Sequence, residues 1–160
     1  DGIRDVERSR GLGDVYKRQI QEKATKYGEF DLPYIIAINV INEFGVDDID
    51  INNALFGKEF TIIFRGNNVI ERKLSRKPNG AWYGPNGPQN KHVSAALIAV
   101  NLTPWNITKV TPVLWHNPWA NYSLPPDTWQ LPQLVPDKKD NRLLKKNGKS
   151  STGSYIKSFF

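Results

Sequence analysis

The chain has 160 residues, of which 39% are hydrophobic, and it carries a formal net charge of +6. No apolar run approaches the roughly 18 residues that a membrane-spanning helix needs, so the composition predicts no membrane span. The lack of cysteine excludes disulfides and thiolate metal sites, and it fits a reducing, cytoplasmic location.

The first 19 residues resemble a translated sequencing adapter more than a protein segment. Residues 1–5 and 9–19 match the two fixed blocks of the indexed adapter used in Illumina transposase libraries, and residues 6–8 fall at the variable index. Such a segment is excluded from fold reasoning. The match predicts that the native sequence starts at Ile20 inside a gene, so that the chain is truncated at its N-terminus. The alternative is a natural basic N-terminal arm.

Positive charge is concentrated outside the central part of the chain. Residues 1–19 carry +1, residues 20–135 carry ten basic and ten acidic side chains, and residues 136–160 carry +5. We therefore expect an adapter-like segment, the C-terminal part of one α/β domain over 20–135, and a basic, poorly ordered tail. The tail could bind nucleic acid weakly through phosphate neutralisation, or it could be only a solvated terminus.

The first half of the domain predicts two helices and a buried strand. A helix over 20–27 ends at Gly28. Residues 34–40 form a continuous run of strand-forming residues, which is typical of a strand covered on both faces. Asp47 and Asp50 predict a capped helix over 47–56.

A hairpin and a loop are expected next. The hairpin has strands over 59–64 and 69–74 around a turn at 65–68. The Gly/Pro/Asn-rich residues 77–89 form a loop around Trp82.

The remaining residues predict a second buried strand over 93–102. Residues 108–115 form an edge strand, because Pro112 lacks the amide that a central strand donates. The predicted fold class is α/β, with few helices and a mixed sheet in which 34–40 and 93–102 are the two central buried strands.

The loop before the second buried strand holds a candidate nucleic-acid or partner contact. Trp82 and Tyr83 could stack on a base while Lys91 and His92 contact phosphate. Alternatively, the loop is a rigid connector whose tryptophan covers the core.

Two further candidates lie outside this loop. Arg65 in the hairpin turn could contact the same partner, and His116 is either a functional residue or a turn residue with a satisfied ring nitrogen. Helix capping explains Asp47, Asp48 and Asp50, whose spacing is not that of a calcium loop. No metal or other cofactor is predicted for this chain.

Four stretches, in this order, resemble the C-terminal part of an uncharacterised bacterial protein family: KATKYGEFDLPYIIAINV, DDIDINNALFG, AWYGPNGPQNKHVSAALIAVNLTPW and LWHNPWANYSLP. The resemblance covers about residues 21–134. The N-terminal half of that family resembles the PD-(D/E)xK nuclease fold of restriction endonucleases. The resemblance therefore implies an intact protein that uses Mg²⁺ bound upstream of Ile20. This chain contains no matching trio of acidic residues and lysine, so no catalytic residue is carried over.

Two functions are consistent with these features. The first is the truncated C-terminal region of a protein related to metal-dependent, restriction-endonuclease-like nucleases, which is inactive by itself. The second is a non-catalytic module that binds protein or nucleic acid or has a structural role. The sequence leaves open the substrate, the oligomeric state and whether the intact protein is an enzyme.

Overall fold

The part of the chain that the structure, a computed structural model, describes contains two α-helices, a short 3-10 helix (Pro126–Thr128) and ten strands. The described residues are 17–26, 28, 30–43, 45–66, 69–137, 142–147 and 150–158, with side chains except at 65–72 and beyond 137. The helices are α1, over residues 17–26, and α2, Asp48–Phe56. The strands are β1 (Tyr34–Val40), β2 (Glu59–Gly66), β3 (Val69–Arg76), β4 (Tyr83–Gly84), β5 (Gly87–Pro88), β6 (Val93–Val100), β7 (Val113–His116), β8 (Gln133–Asp137), β9 (Arg142–Asn147) and β10 (Ser150–Ser158). Most of the adapter-like segment, residues 1–16, lies outside the described residues.

Six strands form one mixed sheet in the order β1-β6-β7-β8-β9-β10. The pairs β1–β6 and β7–β8 are parallel, whereas β6–β7, β8–β9 and β9–β10 are antiparallel. Hairpins β2–β3 and β4–β5 are separate two-stranded sheets. Parallel strands need a long crossover, and α2 with hairpin β2–β3 lies within the one between β1 and β6. The predicted fold class, α/β with a mixed sheet and few helices, is confirmed.

Strands β6 and β1 differ in how they are covered. Strand β6 lies between β1 and β7, and six of its eight side chains are buried. Strand β1 lies at one end of the described sheet, where Ile36 and Ile38 are buried but Ala37 and Asn39 are exposed. In this respect β1 differs from the prediction of a central strand covered on both faces, because it has a strand neighbour on one side only and Ala37 and Asn39 on its other sheet face are exposed.

The main core lies between one face of the sheet and the two helices. Its larger buried side chains are Ile20, Ile36, Ile38, Val40, Ile51, Leu55, Phe56, Trp82, Val93, Ile98, Trp115 and Leu134. In the two long strands, Ile36 and Ile38 are buried, whereas Leu97 and Val100 are half-buried.

Helix α2 begins and ends where the sequence predicts. The amides of Ile49 and Asp50 donate to Asp47 Oδ1 at 2.8 and 2.9 Å, and the Asp47 amide donates to Asp50 Oδ2 at 3.4 Å. These bonds form the predicted capping box. The helix ends at Gly57, whose φ of +96° lies in the region that favours glycine.

Strand β7 differs from the predicted edge strand, because it lies between β6 and β8. It begins at Val113, so Pro112 precedes the ladder, where its missing amide removes no hydrogen bond. Within residues 136–160, β9 pairs with β8 and β10 pairs with β9. The poor order expected for this tail stays a prediction.

Candidate functional site

Trp82 lies in the core and not on the surface. Its side chain is 0% exposed, and its ring packs edge-on against Phe56 with centroids 5.4 Å apart. Trp82 thus covers the core, as the alternative to base stacking predicts, and in this arrangement its ring cannot reach a base. Tyr83 is half-buried, with its ring centroid 5.5 Å from that of Trp119.

Lys91 and His92 are adjacent in sequence but have different environments. The Lys91 side chain is exposed, whereas His92 is half-buried and stacks on Tyr34. His92 Nε2 lies 2.6 Å from the carbonyl oxygen of Ala24 and therefore donates to it. This bond ties α1 to the start of β6, so His92 has a structural role.

His116 is also held in a structural network. Its buried ring places Nε2 2.8 Å from Gln133 Oε1. Gln133 Nε2 donates to the carbonyl oxygens of Pro126 and Trp129, both at 2.7 Å, so Oε1 is left to accept from His116. The network holds the segment before β8 against β7.

Hairpin β2–β3 carries an exposed apolar surface that the sequence reasoning missed. Four of its large apolar side chains are exposed: Phe60 at 39%, Ile63 at 53%, Phe64 at 50% and Leu74 at 37%. Phe60 and Phe64 lie on one face of the hairpin, and Ile63 and Leu74 lie on the other. Apolar side chains grouped on one exposed face often mark binding sites. The hairpin is therefore the candidate contact surface of the described chain.

The two faces of the hairpin differ in chemistry. Side chains alternate along a strand, so Phe60, Ile62 and Phe64 share one face. The ladder partner of Ile62 is Lys73, whose side chain is exposed. We call these four residues the aromatic face; in the same register Ser75 and Glu71 are the ladder partners of Phe60 and Phe64, and Ile63 lies on the opposite face.

Arg65 belongs to this hairpin through its backbone. It pairs with Ile70 in the ladder, but its side chain lies outside the described residues. A partner contact by Arg65 stays a prediction.

A buried ion pair anchors the base of the hairpin. The Arg76 guanidinium donates to Glu59 Oε2 at 2.9 Å and to the carbonyl oxygen of Gly57 at 2.8 Å. Burial lowers the pKa of Arg76 from its ordinary value, and the Glu59 carboxylate acts in the opposite direction. The guanidinium still stays charged. The Glu59 amide donates to Asn53 Oδ1 at 3.1 Å, which fixes the start of β2 against α2.

The chain after the hairpin is fixed to the same helix end. The amides of Ala81 and Trp82 donate to the carbonyl oxygens of Ala54 and Leu55, each at 2.8 Å. The backbones approach so closely that a Cβ on Gly80 would lie 2.5 Å from the Leu55 oxygen. Both ends of the hairpin are therefore held at the C-terminus of α2.

Charge is segregated along the neutral domain. Residues 20–57 hold two basic and seven acidic side chains, a net −5, whereas residues 58–77 hold six basic and two acidic side chains, a net +4. Three of these cations, Lys58, Lys73 and Lys77, are exposed. Counting charge along short windows, and not for the whole domain, would have revealed the basic segment 58–77 from the sequence, whereas the predicted hairpin, residues 59–74, carries only +1.

A second apolar feature lies along β1 and β6. A cavity of about 240 Å³ is lined by Ala37, Ile38, Asn39, Leu97, Ala99, Leu102 and Pro112. The Asn39 side chain is bonded in both directions to the backbone of Leu102, which leaves the lining mainly apolar. Leu102 and Pro112 lie in the segment that connects β6 to β7. In this segment the Trp105 side chain is 92% exposed.

Two general features were also sought in the described part of the chain. No three histidine, aspartate or glutamate side chains there come together in a group that could hold a metal ion. Neither of the helices described above is long and apolar enough to cross a membrane.

Comparisons of the chain with protein-family models, with curated proteins and with solved structures gave no match. The resemblance to a nuclease-like bacterial family therefore stays a prediction.

Proposed function

We propose that this chain is a nucleic-acid-binding module whose main contact element is hairpin β2–β3. The observation that carries the proposal is the combination of exposed apolar rings on this two-stranded sheet with a net charge of +4 over residues 58–77, which include Lys58 and Lys77 directly beside the strands. Lysine and arginine that neutralise phosphates supply most of the affinity in sequence-independent binding. The exposed rings can also contact the bases of a nucleic acid. Binding of an acidic protein surface would require only the positive charge.

The anchoring of the hairpin supports this proposal. The Arg76–Glu59 ion pair and the close approach of the Gly80 backbone to Leu55 hold both ends of the hairpin against α2. A contact element that is fixed before binding loses little conformational freedom on binding.

The family resemblance supports nucleic acid as the partner class. On this proposal the chain belongs to a cytoplasmic protein related to metal-dependent nucleases, in which Mg²⁺ would assist phosphodiester cleavage. This part of the proposal is an analogy at the level of fold and family. No residue of this chain is given a catalytic role.

The C-terminal residues provide a second, weaker contact. Residues 136–160 carry +5, and Arg142, Lys145 and Lys146 lie on strand β9. We expect this charge to add affinity at low salt that is lost near physiological salt.

Titration of fluorescein-labelled DNA with the full chain, at two salt concentrations, tests the proposal. One variant carries Lys58→Gln, Lys73→Gln and Lys77→Gln, and its control carries Lys23→Gln, Lys26→Gln and Lys109→Gln, at three exposed lysines outside the hairpin. Each lost phosphate contact should reduce the slope of log affinity against log salt by about 0.7–0.9. The hairpin variant should bind more weakly with a shallower slope, and the control should bind as the parent does.

A tail variant separates the two contacts. Substitution of Arg142, Lys145 and Lys146 by glutamine removes charge while leaving the backbone pairing of β9 with β8 in place. If this variant loses all binding and the hairpin variant loses none, the contact element is the tail. If the full chain binds neither single-stranded nor duplex DNA at low salt, the proposed function is wrong.

A second candidate function, binding of a protein partner, is favoured by the apolar cavity and Trp105. The cavity can accept an apolar side chain, and a second copy of the chain offers Trp105 as such a group. Sedimentation velocity over a range of concentrations would detect this self-association. Trp105→Ser should abolish it and Trp129→Ser, at a less exposed tryptophan, should not; a monomer at every concentration would count against this partner.

A further inference from the structure

We infer that the aromatic face of hairpin β2–β3 is a stacking platform for unpaired bases, so that the nucleic acid this chain binds is single-stranded. The inference rests on the proposed function, because it names the class of nucleic acid that the same hairpin takes. It depends on the arrangement of Phe60, Phe64 and Lys73, which the charge argument alone does not use.

The spacing of the two rings allows each to hold a base. Phe60 and Phe64 are four residues apart on one strand, which corresponds to about 13 Å in an extended backbone. Ile62 lies between them and is half-buried, so it forms the floor of the face. The exposed rings on either side are the parts that a ligand can cover.

Lys73 supplies a cation between the two rings. It is the direct ladder partner of Ile62, which places the two Cβ atoms about 5 Å apart. If the bases of a single-stranded nucleic acid stack on the two rings, its backbone phosphates would therefore pass close to this ammonium group. Aromatic side chains next to cations are the combination that single-stranded nucleic acids bind.

The chemistry of the face favours unpaired over paired bases. In a duplex, proteins read base edges through hydrogen bonds in the grooves, and a phenylalanine ring offers no donor or acceptor. In a single strand the flat surfaces of the bases are open, and stacking on them does not depend on sequence. The exposed rings thus match the surface that only unpaired bases present.

The opposite face of the hairpin provides a matched control. Ile63 is adjacent to Phe64 and equally exposed, at 53% against 50%, but it has no ring and lies on the other side of the strand. Replacement of either residue removes a similar exposed apolar surface. Only replacement of Phe64 removes a stacking group from the aromatic face.

Fluorescence anisotropy with the full chain at low salt provides the test. The probes are a labelled oligothymidylate strand and a labelled duplex of the same length. Phe60→Ala and Phe64→Ala should each weaken binding of the single strand by about 5- to 150-fold, the range measured for loss of one stacked base. Ile63→Ala should leave it within about 2-fold, and Phe64→Trp should retain it. Phe64→Leu, which keeps an apolar side chain, tests the ring even if the alanine variant does not fold.

The outcomes distinguish the inference from the proposed function. Tighter binding of the single strand, lost in Phe64→Leu but kept in Ile63→Ala, supports both. Two results would overturn the stacking platform while the nucleic-acid-binding function stands. One is equal affinity for the single strand and the duplex; the other is binding of the single strand that Phe60→Ala and Phe64→Leu leave unchanged. If neither probe binds, both fail.

Discussion

Strands β6 and β2 each have eight residues and a continuous apolar segment, yet the structure buries one and exposes the other. Strand β6 has strands on both sides and the main core against one face. Strand β2 pairs only with β3, and the two form a sheet of their own. An apolar segment predicts that a strand forms, whereas the number of neighbouring elements decides how much of it is buried. Where neighbours are few, the apolar side chains are available to a partner.

The largest expected effect separates a buried tryptophan from an exposed one. Trp82→Ala should lower the free energy of unfolding by about 3–5 kcal/mol, because it removes a fully buried ring from the core. Trp105→Ala, at a ring that is almost fully exposed, should stay within about 0.5 kcal/mol of the parent. Urea denaturation of both variants would measure the difference, and equal losses would contradict the placement of these two rings.

A second comparison sets β1 against β2. Ile38→Ala should cost about 2–4 kcal/mol, since Ile38 is buried in the main core. Ile63→Ala should cost less than about 1 kcal/mol, because more than half of this side chain is already in contact with solvent. A large loss in Ile63→Ala would mean that the hairpin is covered in solution.

The anchor of the hairpin gives an intermediate effect. Glu59→Ala removes the carboxylate that pairs with the buried Arg76 guanidinium, and we expect it to cost about 1.5–3 kcal/mol. Glu59→Gln keeps an acceptor oxygen and should cost less. Thermal unfolding followed by circular dichroism would rank the three chains, and a Glu59→Ala variant as stable as the parent would contradict the role of this pair.

The smallest expected effect is at the N-terminus of α2. Asp47→Ala removes the acceptor for two backbone amides and should cost about 1 kcal/mol. Asp47→Asn, which keeps an acceptor at the same position, should restore most of the loss. A cost in Asp47→Ala above that in Glu59→Ala would reverse the order of stabilities expected here.

The elements that depend on neighbouring residues could be predicted from the sequence. The capping box of Asp47 and Asp50, the helix end at Gly57 and the pairing of β2 with the next strand, β3, all have local causes. The buried strand β6 was predictable because its apolar run is unbroken. The edge position of β1 was not, since it depends on the strand order.

The candidate site was less predictable than the fold. Trp82 has an aromatic, Gly-rich sequence around it that is equally compatible with a base-binding loop, and only its packing on Phe56 decides that it belongs to the core. Phe60 and Phe64 look like ordinary core residues of a strand in the sequence. Their exposure means that no described element packs over this face of the hairpin, which no local pattern encodes.

The most direct test of the central claim is to map where a single strand touches the chain. Ultraviolet cross-linking of oligothymidylate to the full chain, followed by digestion and mass spectrometry, locates the contacted peptides without any substitution. Cross-links concentrated in residues 58–77, with adducts on Phe60 or Phe64, are the predicted result. Cross-links confined to residues 82–92 or to residues 136–160 would contradict the assignment of hairpin β2–β3 as the contact element.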